Sequence, residues 1–347
     1  MKNNLKLTKY IIGVISMIIL ISCSKSHNSD EMIKIDLSQF KKNINYSEFV
    51  DSISYIQLET NDSCLISEIE YLYVVNDEIF IKDMKGGGIL RFDNHGRYLA
   101  KINKFGSGPG EFNRIHNFDI DKTQKNIYIY DDLRKNLLRY TFDGKFLSEI
   151  KIKDDIRDFA LLGNNDFIFL HPDYNMKEHQ GIWYANDKGK FIKSIIEGTS
   201  DNSYSVRGAE MCCKMHNSIC YYDIYTDKIY YINKDLAKCL YCFELEQKIP
   251  KKIMKDQKGK QDDYFINIGF YPTNKYILLF YISDNDYRAV LFNRENHNLE
   301  IGKEFVNNID NHKTQKIVGR YDDNSIVATV APKVISSNPV LQILHLK

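Results

Sequence analysis

Two stretches of this chain are near-copies of one another, and that repeat constrains the fold more than any other feature. Ile79–Ile102 (IFIKDMKGGGILRFDNHGRYLAKI) and Ile127–Ile150 (IYIYDDLRKNLLRYTFDGKFLSEI) align without a gap at an offset of 48 residues. Asp83 matches Asp131, Leu90 matches Leu138, Arg91 matches Arg139, and Gly96 matches Gly144. Phe80/Tyr128 and Arg97/Lys145 are conservative pairs. A period of this size marks one supersecondary unit that cannot bury both its faces alone and stacks on its neighbours.

Each unit reads as four short strands. In the second, Ile115–Ile120, Asn126–Tyr130, Leu137–Thr141 and Lys145–Ile150 are separated by polar turns. Asp143-Gly144 is a favoured hairpin turn. Four antiparallel strands in such a span make one propeller blade. Weaker copies follow at Phe167–Leu170, Ile182–Ala185 and Lys190–Ile195, then at Ser218–Tyr222, Lys228–Ile232 and Cys239–Leu245. A fifth unit spans Tyr276–Ile282, Tyr287–Asn293 and Leu299–Phe305. The last has only Gln315–Tyr321, Ser325–Val330 and Val340–His345, and Ile53–Glu59 is the natural fourth strand. The expected fold is therefore all-β: a six-bladed β-propeller over residues 51–347, closed by pairing N-terminal and C-terminal strands in the last blade. Closure removes the exposed edges that an open stack would leave. Tyrosine (24) and phenylalanine (19) are abundant and suit half-buried pleated surfaces. No helical period competes; a pair of β-sandwiches is the alternative.

The N-terminus reads as a sorting signal. Lys2, Lys6 and Lys9 precede the apolar run Tyr10–Ile21, which is too short to span a bilayer comfortably but suits a signal peptide. Leu20-Ile21-Ser22-Cys23 resembles the bacterial lipobox. That resemblance implies a signal peptide over 1–22, a lipid anchor on Cys23, and a tether and lead-in over 23–50. It also implies export to the cell envelope, at the outer membrane. The membrane face stays open, although Ser24-Lys25-Ser26-His27 lacks the acidic run that tends to mark surface export.

The run Lys104–Phe112 (KFGSGPGEF) resembles the inter-blade motif of NHL-type propellers. It is also similar to that of six-bladed propeller lipoproteins of Bacteroides-like bacteria, in which G-x-G-P-G-E-[FY] leads from one blade into the next. Ile53–Thr60 resembles their opening strand, and Asp93–Gly96 and Phe142–Gly144 their F-D-x-x-G turns. Physically, the glycines permit positive φ and close approach, and Glu111 is placed to cap loop amides. A phosphate-binding loop would need Gly-Lys-Ser/Thr opening a helix; here the run opens a strand.

Function is less legible. The net charge of +1 supplies no global field for nucleic acid. The mouth of a propeller channel is the expected site. That points to Glu68, His116, Asn117, Arg157, Asp158, Arg207, Glu210 and Asn267 as candidate ligand-binding residues. No Ser-His-Asp order or G-x-S-x-G elbow appears. The nine histidines form no H-x-H or H-E-x-x-H pattern, so neither a metal site nor a cofactor is expected. Cys239 and Cys242 have C-x-x-C spacing without a second such pair; free thiols and a disulfide both remain open. The expectation is a binding or scaffolding propeller for a protein, peptide or glycan. The alternatives are a calcium- or zinc-dependent propeller hydrolase or lyase, and an accessory lipoprotein of nutrient uptake.

Overall fold

The structure is a computed structural model. It describes residues 32–347 apart from 86, 154–155, 164–165, 172–180, 198–211, 217, 225, 251–263, 285, 333 and 335–336. The signal-peptide reading, Cys23 and the polar tether 24–31 lie outside the described residues, as do Arg207 and Glu210.

The repeating unit is a four-stranded antiparallel meander. β4 (Ile69–Val75), β5 (Glu78–Asp83), β6 (Gly88–Asp93) and β7 (Tyr98–Ile102) make one. β8 (Asn117–Asp121), β9 (Asn126–Asp131), β10 (Asn136–Thr141) and β11 (Phe146–Lys151) make the next. β12 (Asp158–Leu162), β13 (Asp166–His171), β14 (Gly181–Ala185) and β15 (Phe191–Glu197) follow. β16 (Cys212–Met215), β17 (Ser218–Asp223), β18 (Lys228–Ile232) and β19 (Ala237–Leu245) form a fourth. β20 (Ile266–Pro272), β21 (Tyr276–Ser283), β22 (Asp286–Asn293) and β23 (Leu299–Val306) form a fifth.

β24 (Thr314–Asp322), β25 (Ser325–Val330) and β26 (Val340–Leu346) are joined by β3 (Val50–Gln57). β3 pairs antiparallel with β26 from Gln57–Val340 to Val50–Leu346. The first strand of the repeating region thus lies against the last. This group packs on the first meander through a shared core, and one backbone bridge joins the two sheets where β24 meets β4 in parallel at Gly319 and Leu72. A Cβ on Gly319 would lie 2.7 Å from the Leu72 carbonyl oxygen, so a larger residue would push the strands apart.

The sheets pack face to face. Phe80, Phe112, Phe118 and Tyr140 are fully buried between the first two meanders. Tyr128, Phe167, Phe169 and Trp183 fill the next interface. Burying an aromatic or branched aliphatic side chain stabilises by about 1.5–3 kcal/mol, and neither face of any sheet could be left wet. Sequential meanders with apolar faces against one another and first strands around one cavity are the architecture of a β-propeller.

The lead-in is part of this body rather than a spacer. β1 (Met32–Ile35) adds in parallel to the outer edge of β19, and β2 (Lys41–Asn45) to that of β23. A single helical turn, α1 (Tyr46–Phe49), then delivers the chain to β3. Asn45 and Glu48 cap it reciprocally. Ile35, Leu37, Ile44, Tyr46 and Phe49 are all fully buried. The sequence reading of 23–50 missed this because strands of four and five residues, MIKI and KKNIN, carry almost no periodic signal.

The loop 104–112 behaves as the motif predicted. It links β7 to β8. Glu111 accepts a hydrogen bond from Gly108 N at 2.8 Å. Arg134 donates to the Glu111 carbonyl at 2.6 Å, and the Tyr140 hydroxyl to the Gly110 carbonyl at 2.8 Å. Gly110 has φ +69°, and a Cβ there would lie 2.5 Å from the Phe146 ring. The glutamate carboxylate occupies the position in which a bound anion would have to sit.

Candidate functional site

The first strands of the meanders surround a cavity of about 1690 Å³. Drug-sized ligand pockets are about 300–1000 Å³, so this one can hold an oligomeric ligand. It extends from the loops that enter the first strands (Arg114, His116, Arg157) to the turns that leave them (Lys122, Thr123, Asp322, Asp323).

Four of the six described candidates line it: His116, Asn117, Arg157 and Asp158. His116 Nε2 lies 2.7 Å from the Arg157 carbonyl oxygen and Nδ1 lies 3.4 Å from Asp132. Asn117 begins β8 and accepts from the Tyr71 hydroxyl at 3.4 Å. Asp158 begins β12 and is half-buried. Burial, reinforced by the neighbouring charge of Asp119, pushes its carboxyl up to about 7 against the opposing pull of the Phe159 amide.

Glu68 and Asn267 do not line the cavity. Glu68 sits just before β4, 3.7 Å from Lys85. Asn267 is buried in β20, where a register shift between Asn267 and Gly269 breaks the alternation and its side chain turns to accept from Gly269 N at 3.2 Å. A bulge re-aims side chains in a way periodicity cannot anticipate.

The structure adds residues that sequence reasoning passed over. Asp119, two residues beyond Asn117 and so on the same face of β8, accepts from Leu161 N at 2.7 Å and pairs with Lys214 at 2.8 Å. Arg320 donates to the Lys214 carbonyl and pairs with Asp323 at 3.0 Å. His216 lies 2.6 Å from Asp323. Lys82 pairs with Glu70 at 2.9 Å and donates to the His116 carbonyl at 3.0 Å; burial lowers its pKa. At Asp132 burial resists ionisation, but Arg114 and His116 outweigh it and hold the pKa down. Only the two-residue spacing of Asn117 and Asp119 could have signalled any of this. The partners of Asp119 and of His216 come from different sheets.

Taken together, the lining has seven Lys and Arg against eight Asp and Glu. The wall is densely charged yet nearly neutral. Among the described residues, no cluster of three or more His, Cys, Asp or Glu is placed to hold a metal ion. All six described cysteines are free thiols. Burial pushes Cys220 up to about 12, out of the nucleophilic range at neutral pH.

A family model described as a domain of unknown function, DUF4934, matches residues 32–343. The chain belongs to that family. The DUF4934 match begins at the first residue of β1, so the edge strands are inside the family's unit. A protein from Bacteroides fragilis, described provisionally as exported, has the same fold. It matches at TM-score 0.76 and 16% identity over 91% of this chain and 100% of that one. A DUF4221 family member from Bacteroides vulgatus matches at TM-score 0.47 and 8% identity over 86% and 97%. A β-propeller domain of Cps50 (Swd1) from Myceliophteria thermophila matches at 0.44 and 8% over 85% and 100%. No curated protein matches.

Proposed function

We propose that this DUF4934 protein is an exported lipoprotein, held in the cell envelope through Cys23. Its body is a six-bladed propeller in which β3 and β26 close the ring, and its cavity binds a protein, peptide or glycan partner. The observation that carries the binding reading is the wall of that cavity. Its charges are committed to one another, Lys214 with Asp119 across sheets and Arg320 with Asp323 within the last one. A large cavity with few free charges favours a polar ligand of low net charge, recognised by many hydrogen bonds. Export is favoured by the lipobox-like Leu20–Cys23 and by the exported description of the Bacteroides fragilis protein.

The test is a thermal-shift screen of oligosaccharides and peptides at millimolar concentration. A genuine ligand at 100 times its Kd adds about 2.7 kcal/mol to stability. It should raise Tm in the wild type and not in Arg157→Ala with His116→Ala. Turnover of a screened compound would move the reading to the hydrolase or lyase alternative. Lipidation is checked by mass: the purified chain should begin at Cys23 and carry acyl groups, and Cys23→Ala should abolish both.

A further inference from the structure

We infer that the outer edge formed by β7, β11 and β15 is a docking surface for an anionic phospholipid bilayer. Among the described residues, the three strands end their sheets with no strand beyond them. Each carries an exposed apolar side chain at its second residue: Leu99 (44% exposed), Leu147 (40%) and Ile192 (51%). Where the N-terminal strands cover the outer edge, the equivalent residues are Lys238 on β19 and Glu300 on β23.

Charge divides the same way. The three open outer strands with the hairpin turns that lead into them (94–104, 143–153 and 186–197) hold nine Lys and Arg against four Asp and Glu. The two covered ones (234–248 and 295–306) hold four against six. In a chain of net charge +1 this is a strong local bias. Lys104, Lys145, Lys188 and Lys190 are exposed and have no ion-pair partner among the described residues.

Lysines on an open edge have a simpler role, since they discourage pairing with another strand. That role does not account for a leucine or isoleucine exposed at the same position three times. Nor does the pattern occur on β3, also an open edge, which has Asp51 and no Lys or Arg. Basic side chains interleaved with exposed aliphatic ones fit lipid phosphates and the acyl boundary beneath them. The tether permits the encounter, with the chain leaving from β1 on the β19 edge. Cys23 lies nine residues before Met32, which at full extension limits the separation to about 30 Å. Each weak contact is then made at high effective concentration.

This inference rests on the envelope-lipoprotein reading, and the experiment separates the two. The full chain is purified with its lipid, weighed by mass spectrometry, and reconstituted into vesicles of phosphatidylcholine alone or with about one-third phosphatidylglycerol. Backbone hydrogen exchange is then followed strand by strand. The expected result is exchange about tenfold slower in β7, β11 and β15 with anionic vesicles, and unchanged in β19 and β23. The protection should disappear at about 0.5 M NaCl and in Lys145→Glu with Lys151→Glu and Lys190→Glu. It should weaken in Leu99→Ser with Leu147→Ser, whose residues are exposed and leave the core intact. A lipidated chain with equal exchange on both vesicles overturns the docking surface and leaves the anchor standing. Protection confined to β3, β19 or β23 also overturns it. If the mass shows no lipid, the anchor fails, and the same exchange measured with excess free vesicles decides the surface alone.

Discussion

The two meanders β4–β11 and the two meanders β16–β23 reach the same architecture by different means. In the first pair no described strand covers the outer edges, and the link between sheets is a compact loop whose own glutamate accepts from its Gly108 amide. In the second pair the outer edges are covered by β1 and β2, laid on from the far end of the chain. The hairpin turns show the same split. Gly96 and Gly144 take the positive φ in the first pair, whereas His297 takes it in β22–β23. Yet the hydrogen bonds are alike. Asp93, Asn233 and Asn293 each begin such a turn and accept two backbone amides ahead of them. The lesson is that turn geometry repeats through the molecule while residue identity repeats only in part of it. An Asx side chain can replace the glycine-based signature.

The largest test of this comparison is removal of residues 32–45. Three fully buried side chains, Ile35, Leu37 and Ile44, would be lost, costing about 6 kcal/mol at 1.5–3 kcal/mol each. Hydrogen exchange should accelerate first in β19 and β23 while β9 and β10 stay protected. Equal loss in all four would mean that the two regions are one cooperative unit and the contrast is superficial.

Gly110→Ala strikes the other region. The left-handed backbone and the clash with Phe146 should together cost about 3 kcal/mol in denaturant unfolding. Gly163→Ala, with ordinary backbone and open space around its Cβ, should be neutral within error. A neutral Gly110→Ala would remove the structural reading of the 104–112 loop.

Asp158→Asn probes the cavity. The folded-state pKa is raised above its unfolded value, so the folded chain holds a proton that the unfolded chain releases. Wild-type stability should therefore fall as pH rises from about 4 to about 7, then level off. The variant should lack that fall, gaining on the order of 2 kcal/mol relative to wild type above pH 7, after allowance for the partial exposure of Asp158. Parallel pH profiles for the two proteins would show that Asp158 is not buried as described.

The smallest effect sharpens the comparison most. Asp93→Ala and Asn233→Ala each remove the side-chain oxygen that accepts two backbone amides in an equivalent turn. Both should cost about 1 kcal/mol. If only Asp93→Ala does, the turn in the faint repeat is not the same device.

Much of the fold was legible because two units preserved the residues that geometry demands. Asp83 and Asp131 recur because both bind the amides of the loop entering the neighbouring first strand. The strand segments expected in the weaker units match those observed to within a few residues. β1 and β2 were not legible, since a strand added in parallel to a distant edge leaves no local pattern. Of the cavity, His116, Asn117, Arg157 and Asp158 followed from strand order alone. Asp119, Lys214 and Arg320 did not, because each is defined by a partner about 40 to 100 residues away.

The sequence by itself determined the repeating strand, its turns and the loop after β7, all of which are set by contacts within about 50 residues. Tertiary structure alone decided which sheet edges the N-terminal strands cover, where the bulge turns Asn267 aside, and how the charges of the cavity neutralise one another. Those outcomes depend on side chains meeting across sheets, and a linear pattern holds no record of the distance between residues that only folding brings together.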